Sequence, residues 1–373
     1  MNRHLYWLWL RLALAGNIKM MYALYVAVGD AEKIFRAERN DYIDWDVPQN
    51  YIPALTDKDL TQAYNIFGQC ERFDIHIVSI EDEAYPASLR QIALPPCIIF
   101  YQGNLSCLDA PALTIIGTRY CTVGGEAIAD EFARGLSLSG FTLVCGVAKG
   151  IEEAVFTAVK ETDGRNVLVL PCGHLSVSKR VKFMMCDTVG RGAVISEMLP
   201  GEKTPPNAYH MRNRLLSALT PGTLVVQAPV KSGTQITASY ALEQGKDVFV
   251  LPGSLRSPAY AGNNMLLRDG ATPIIDFTDL VEYYKPRYGD QVQSAVIEDE
   301  SFESFIRSVS ESKKFDNEAQ QRIYSAISSE GNTVDEIVMN SGIPTGKVLS
   351  ELTFMEIKGW VESSPGGKYK IIV

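Results

Sequence analysis

The chain lacks the signatures of several function classes. No Gly-x-Gly-x-x-Gly run follows any apolar segment, so a standard dinucleotide site has no support. No Gly-x-x-x-x-Gly-Lys-Ser/Thr occurs, which removes the usual basis for ATP hydrolysis. Cysteine is sparse and unpatterned: seven residues, at 70, 97, 107, 121, 145, 172 and 186, with no Cys-x-x-Cys pair. They read as reduced, small hydrophobes of a cytoplasmic protein. The four histidines, His4, His76, His174 and His210, are too scattered for zinc or iron, so neither a metal nor a cofactor is expected. No stretch approaches the ~20 uninterrupted apolar residues of a membrane span, and no membrane partner is expected. The apolar run from Leu5 to Leu10, with Ala13-Leu-Ala15, superficially resembles a secretory signal. Arg11 interrupts it and the pattern continues through Met20, Leu24 and Val28, so a packed first helix is the expectation.

What is present is a succession of short apolar runs, each ending in a glycine-containing loop. Leu113-Thr-Ile-Ile runs into Gly117-Thr118-Arg119, and Leu143-Val-Cys into Gly146, Lys149 and Gly150. Val167-Leu-Val-Leu-Pro-Cys172-Gly173 repeats the arrangement, as do Leu224-Val-Val-Gln with Ser232-Gly233-Thr234, and Val248-Phe-Val-Leu-Pro-Gly253-Ser254. Apolar runs without alternation suit strands buried on both faces, and amphipathic helices between them complete βαβ units. The expected class is α/β, a Rossmann-like, doubly wound, mostly parallel sheet. An N-terminal helical module of the SAM or helix-hairpin-helix kind precedes it, and a winged helix follows it. The expected boundaries are 1–75 for the helical module, 76–285 for the core, 286–317 for a polar linker and 318–373 for the winged helix. That last segment reads as helix, turn, helix and a terminal hairpin. Lys347 and Lys358 are offset by Glu351 and Glu356 there, which favours protein contact or packing over duplex binding.

In an open parallel sheet, ligands bind at the carboxyl ends of the strands. Three pieces at that edge suit an anion. Gly117-Thr118-Arg119 offers a backbone turn and a guanidinium. Ser232-Gly233-Thr234 offers hydroxyls and N–H groups at a helix start. Met211-Arg212-Asn213-Arg214 offers two planar cations around an amide, unless they pair with Glu197 and Glu243. A charge of −9 repels nucleic acid at long range, so binding needs a local basic groove. Arg119, Lys149, Lys179, Arg180, Arg212 and Arg214 are its candidates, with Gly146 and Gly150 in the same loops and Tyr209 or Phe183 available to stack on bases. Three or four phosphate contacts imply a salt slope on the order of −2 to −3.

These residues carry a family resemblance. Ile115-Ile-Gly-Thr-Arg119, Met211-Arg-Asn-Arg214, Lys231-Ser-Gly-Thr234, Ala241-Leu-Glu-Gln-Gly245, Phe249-Val-Leu-Pro-Gly-Ser254 and Gly262-Asn-Asn-Met-Leu-Leu267, in this order, resemble the DNA-processing protein A family (DprA, or Smf) of bacterial natural transformation. The resemblance implies a non-enzymatic, homodimeric protein that binds single-stranded DNA on its Rossmann-like core and loads the RecA recombinase, with Arg119 as the DNA-contacting arginine. Three stretches depart from the family pattern. Cys145-Gly-Val-Ala-Lys149-Gly-Ile-Glu152 stands for Ser-Gly-x-Ala-Arg-Gly-Ile-Asp, with Phe156 at the family's histidine. His174-Leu-Ser-Val-Ser-Lys179-Arg180 replaces a Leu-Asp…Tyr-Pro run, and Tyr209-His210 replaces Phe-Pro. Two rival readings follow. One is a phosphoribohydrolase-like enzyme using Glu152 or Glu197, although its Pro-Gly-Gly-x-Gly-Thr-x-x-Glu signature is missing. The other is an interaction scaffold that no longer binds DNA.

Overall fold

A computed structural model of the chain describes residues 2–295, 315, 317–328, 331–357, 360–364 and 367–371. These form two compact units. One comprises residues 2–119 and 130–295; the other joins residues 120–129 to the described residues from 315 onward. Most of the expected linker, 296–314 and 316, lies outside the described residues.

The first unit begins with six helices: α1 (Arg3–Ala13), α2 (Ile18–Val28), α3 (Ala31–Arg36), α4 (Arg39–Asp44), α5 (Ile52–Thr56) and α6 (Thr61–Arg72). The run that resembles a signal is α1, capped by Asn2, whose side chain accepts from the His4 N–H, and Leu5 to Arg11 are all buried. Trp7, Leu8 and Leu10 are fully enclosed and belong to the same apolar cluster as the sheet strands. An apolar helix buried around its whole circumference is what a core helix requires. Arg11 finds a partner in Glu202, 3.1 Å away.

The sheet follows. Strands β1 (His76–Ser79) and β2 (Ile98–Gly103), with the short α7 (Ala87–Arg90) between them, lead into β3 (Ala112–Ile116). Then β4 (Thr142–Cys145), β5 (Asn166–Val169), β6 (Ala193–Ser196), β7 (Gly222–Val225), β8 (Asp247–Val250) and β9 (Thr272–Pro273) alternate with α8 (Val123–Leu138), α9 (Ile151–Glu161), α10 (Lys179–Val189), α11 (Ala208–Ala218), α12 (Gly233–Glu243) and α13 (Ala261–Arg268). Helix α14 (Phe277–Tyr288) closes the unit. The order across the nine strands is β1-β2-β6-β5-β4-β3-β7-β8-β9. Strands β3 to β9 pair in parallel, while β2 meets both β1 and β6 antiparallel. Every residue of β3 to β7 is buried, which is why those segments show no polar alternation. Burial of the Cys145 thiol on β4 pushes its pKa well up, so it stays a protonated hydrophobe.

Strand β3 has β4 on one side and β7 on the other. The chain winds outward from β3 in both directions, so the crevice beyond β3 and β7 is the topological switch point.

In the second unit, α15 (Glu318–Ser325), α16 (Val334–Ser341) and α17 (Thr345–Ile357) surround Ile323, Tyr324, Ile337, Val348, Leu352 and Met355. Strands β10 (Asn332–Thr333), β12 (Lys368–Ile371) and β11 (Val361–Ser364) form an antiparallel wing in that spatial order. Thr333 and Glu336 build a reciprocal capping box at the start of α16.

Candidate nucleic-acid interface

The loops at the carboxyl edge are locked to one another. The Thr118 N–H donates to Gln227 O across the switch point, at 2.8 Å. The next loop lies tight beneath: a Cβ on Gly150 would sit 2.6 Å from Thr118 O and 2.8 Å from Arg119 O, and Gly150 has φ of 73°. Only glycine meets both conditions. Arg180, in the first turn of α10, pairs with Glu153 at 3.0 Å and donates to Val147 O, which ties the third loop to the second. Asn213 Nδ2 donates to Gly233 O at 3.3 Å, joining α11 to the start of α12. Gly117, Thr118, Arg119, Gly146, Lys149, Gly150, Lys179, Arg212, Asn213, Ser232, Gly233 and Thr234 thus belong to one connected edge.

Within that edge the cations differ sharply. Arg119, Lys149 and Lys179 are exposed, and among the described residues none has a carboxylate partner. Arg212 and Arg214, expected from their sequence motif as phosphate contacts, are instead buried. Arg212 is 4% exposed and pairs with Glu152 at 3.3 Å. Arg214 is 6% exposed, pairs with Glu197 and donates to Leu94 O at 2.8 Å. A buried guanidinium must keep its carboxylate, because losing it strands a charge in low dielectric. The Arg-Asn-Arg run is therefore internal scaffolding of the site.

Gly146 shows how close this packing is. A Cβ there would lie 1.7 Å from Arg212 Nη1 and 2.5 Å from Glu152 Oε2. Glu152 also accepts from the Ala148 N–H at 2.8 Å, so its buried carboxylate fixes the second loop as well as Arg212. Tyr209, in the first turn of α11, is 37% exposed. The Arg119 guanidinium carbon lies 5.2 Å from its ring centroid and that of Arg212 5.6 Å.

At the start of α12, Ser232 is the N-cap, and a Cβ added to Gly233 would meet open space. Ser232 Oγ has no protein partner among the described residues. Phe183 lies one turn into α10 from Lys179 and is exposed, with Lys160 Nζ 4.4 Å from its ring centroid.

The departures from the family pattern are also placed. Phe156 is buried in α9. His174 is buried with one ring nitrogen 3.1 Å from Val194 O, and burial pushes its pKa down to about 4, so it is a neutral core residue.

The DNA recombination-mediator protein A family matches residues 76–285, and the DprA winged helix domain matches residues 311–367. This chain belongs to the DNA recombination-mediator protein A family. Among its relatives, Protein Smf of Escherichia coli K12 is 28% identical over 306 residues, 79% of this chain and 77% of its own length. The structure of DNA processing protein A from Streptococcus pneumoniae gives a TM-score of 0.61 at 28% identity, covering 66% of this chain and 87% of that one. That of the Helicobacter pylori protein, described for its single-stranded DNA binding mode, gives 0.51 at 25% identity, covering 57% and 97%.

Geometry gives two further residues a supporting role. Glu152 is the buried counter-ion just described. Asn263, on α13 and fully buried, accepts from the Ala228 N–H at 2.7 Å and donates to Val226 O at 2.9 Å and Leu251 O at 2.8 Å. It fastens the ends of β7 and β8 and so sets the course of the loop that leads to Ser232. Gly262 lets it approach, since a Cβ there would meet Ala228 O at 2.6 Å. The Gly262-Asn263 dipeptide is the sequence signal of that role.

Proposed function

We propose that this chain binds single-stranded DNA along the carboxyl edge of its sheet and acts in DNA processing as a homodimer that delivers the strand to a RecA-type recombinase. One observation carries the DNA reading. The buried arginines at the edge each have their own acid, whereas Arg119, Lys149 and Lys179 project from three interlocked loops without one. They give a net-negative protein a local cationic track, supplemented by the N-terminus of α12. A flexible strand can bring successive phosphates to three such points, which a stiff duplex follows less well. The single-stranded DNA binding described for the Helicobacter pylori relative supports the same reading. Homodimerisation and the recombinase contact rest on family membership.

The two carboxylates a hydrolase would need, Glu152 and Glu197, are held in buried ion pairs, which weighs against the enzymatic reading. For the winged helix we infer a protein-contact role, since Lys347 stands among Glu351 and Glu356 on α17. The test is competition: a labelled single-stranded oligonucleotide bound by the full chain is displaced by unlabelled single strands and poorly by duplex. Equal displacement by both would contradict the proposal. Delivery is tested by RecA filament growth on single strands covered by a binding protein, with and without the chain, and the dimer by light scattering.

A further inference from the structure

Tyr209 occupies the place where α11 meets the Arg119 loop, and its ring has two guanidinium neighbours of opposite character. Arg212, three residues along the same helix, lies on the same face and is held from below by Glu152. Arg119 comes from the loop after β3, is exposed, and among the described residues has no carboxylate to orient it. An arginine free in solvent loses much rotamer entropy when it grips a phosphate. A carboxylate would orient it but cancel the charge that the phosphate needs. An aromatic face orients a guanidinium and leaves its charge intact.

We infer that Tyr209 is a positioning residue: its ring holds the Arg119 guanidinium ready for a phosphate of the bound strand, and it does not serve as a stacking platform for a base. The inference rests on the single-stranded DNA reading above. The order of support runs inward from the strand, from Arg119 to Tyr209, from Tyr209 to Arg212, and from Arg212 to Glu152 in the space that Gly146 leaves open. A base stacked on Tyr209 would have to displace Arg119 from the ring. The aromatic and the cation therefore act on the DNA as one unit.

The test is a double-mutant cycle on oligonucleotide affinity with Arg119→Ala, Tyr209→Leu and the pair, together with Tyr209→Phe. A cation–π contact at an exposed site predicts about a two- to fivefold loss for Tyr209→Leu. The pair should bind no more weakly than Arg119→Ala alone, and Tyr209→Phe should recover most of the loss. The salt slope of Tyr209→Leu should flatten toward that of Arg119→Ala, a change that a merely structural role would not produce. In the free protein, the Arg119 Nε–H resonance should carry a ring-current shift in the wild type and in Tyr209→Phe that disappears in Tyr209→Leu. Losses that multiply in the pair, with quenching of a 2-aminopurine base that depends on Tyr209 even without Arg119, would overturn the inference in favour of base stacking. Wild-type protein that fails to bind single strands would sink the DNA reading and this inference with it, whereas multiplicative losses sink the inference alone.

Discussion

Replacing Gly146 by alanine probes the site from beneath, without touching any group that faces the ligand. The backbone there has no positive φ, so alanine meets no conformational objection and only the new methyl matters. That methyl would lie 1.7 Å from Arg212 Nη1, 2.6 Å from Arg212 Cζ and 2.5 Å from Glu152 Oε2. An arginine tip is ordinarily free to move aside, but this one is 4% exposed and has its acid against it. Moving it breaks a buried ion pair and leaves Glu152 with the hydrogen bond from the Ala148 N–H. Breaking such a pair costs about 3–5 kcal/mol. For a unit of this size that amounts to a fall in Tm on the order of 10 °C. Calorimetry and urea unfolding of Gly146→Ala read the stability, and anisotropy with a labelled oligonucleotide reads the site. A second variant, Gly146→Ala with Arg212→Met and Glu152→Gln, should regain part of the stability because the methyl then meets an uncharged, adaptable side chain and no buried charge is left unpaired. A Tm within about 2 °C of wild type for Gly146→Ala would refute the argument that Arg212 is fixed by burial.

Two further perturbations test the scaffold. Burial holds His174 at a pKa of about 4, below the ordinary 6.5, so the unfolded chain takes up a proton in that interval and the folded chain does not. Stability is complete above 6.5 and falls as the pH drops toward 4, by roughly 2 kcal/mol between pH 7 and pH 5. His174→Leu should flatten the pH dependence of the urea midpoint across that window, and an unchanged slope would count against a buried neutral imidazole. Asn263→Ala leaves the buried Ala228 N–H without its acceptor, a loss of at least about 2 kcal/mol. Asn263→Asp should be no milder in thermal unfolding, since it keeps that acceptor but turns a carboxylate toward Val226 O and Leu251 O.

The strands were legible because burial on both faces forces continuous apolar runs, as in Leu143 to Cys145 and Val167 to Val169. The Gly117-Thr118-Arg119 turn was legible for a related reason: few residues can leave a buried strand and open a crevice. For Arg212 and Arg214 the sequence left two roles open, phosphate contact or pairing with an acid, because a sequence displays a charge without fixing its partner. Glu152 lies 60 positions from Arg212 and Glu197 lies 17 from Arg214, and only the sheet order brings them together. Asn263 was visible as part of a motif, but its role depends on carbonyls from two neighbouring strand ends that no local pattern reveals.

The central claim is that three unpaired cations, Arg119, Lys149 and Lys179, form the phosphate track. Anisotropy of a labelled single-stranded oligonucleotide across a salt series, for wild type and Arg119→Ala, tests it most directly. Three neutralised phosphates at ~0.7 each predict a log–log slope of about −2 for the wild type and about −1.4 for the variant, with duplex competing poorly. A weak affinity shared by both strand forms, with one slope for wild type and variant, would contradict the account.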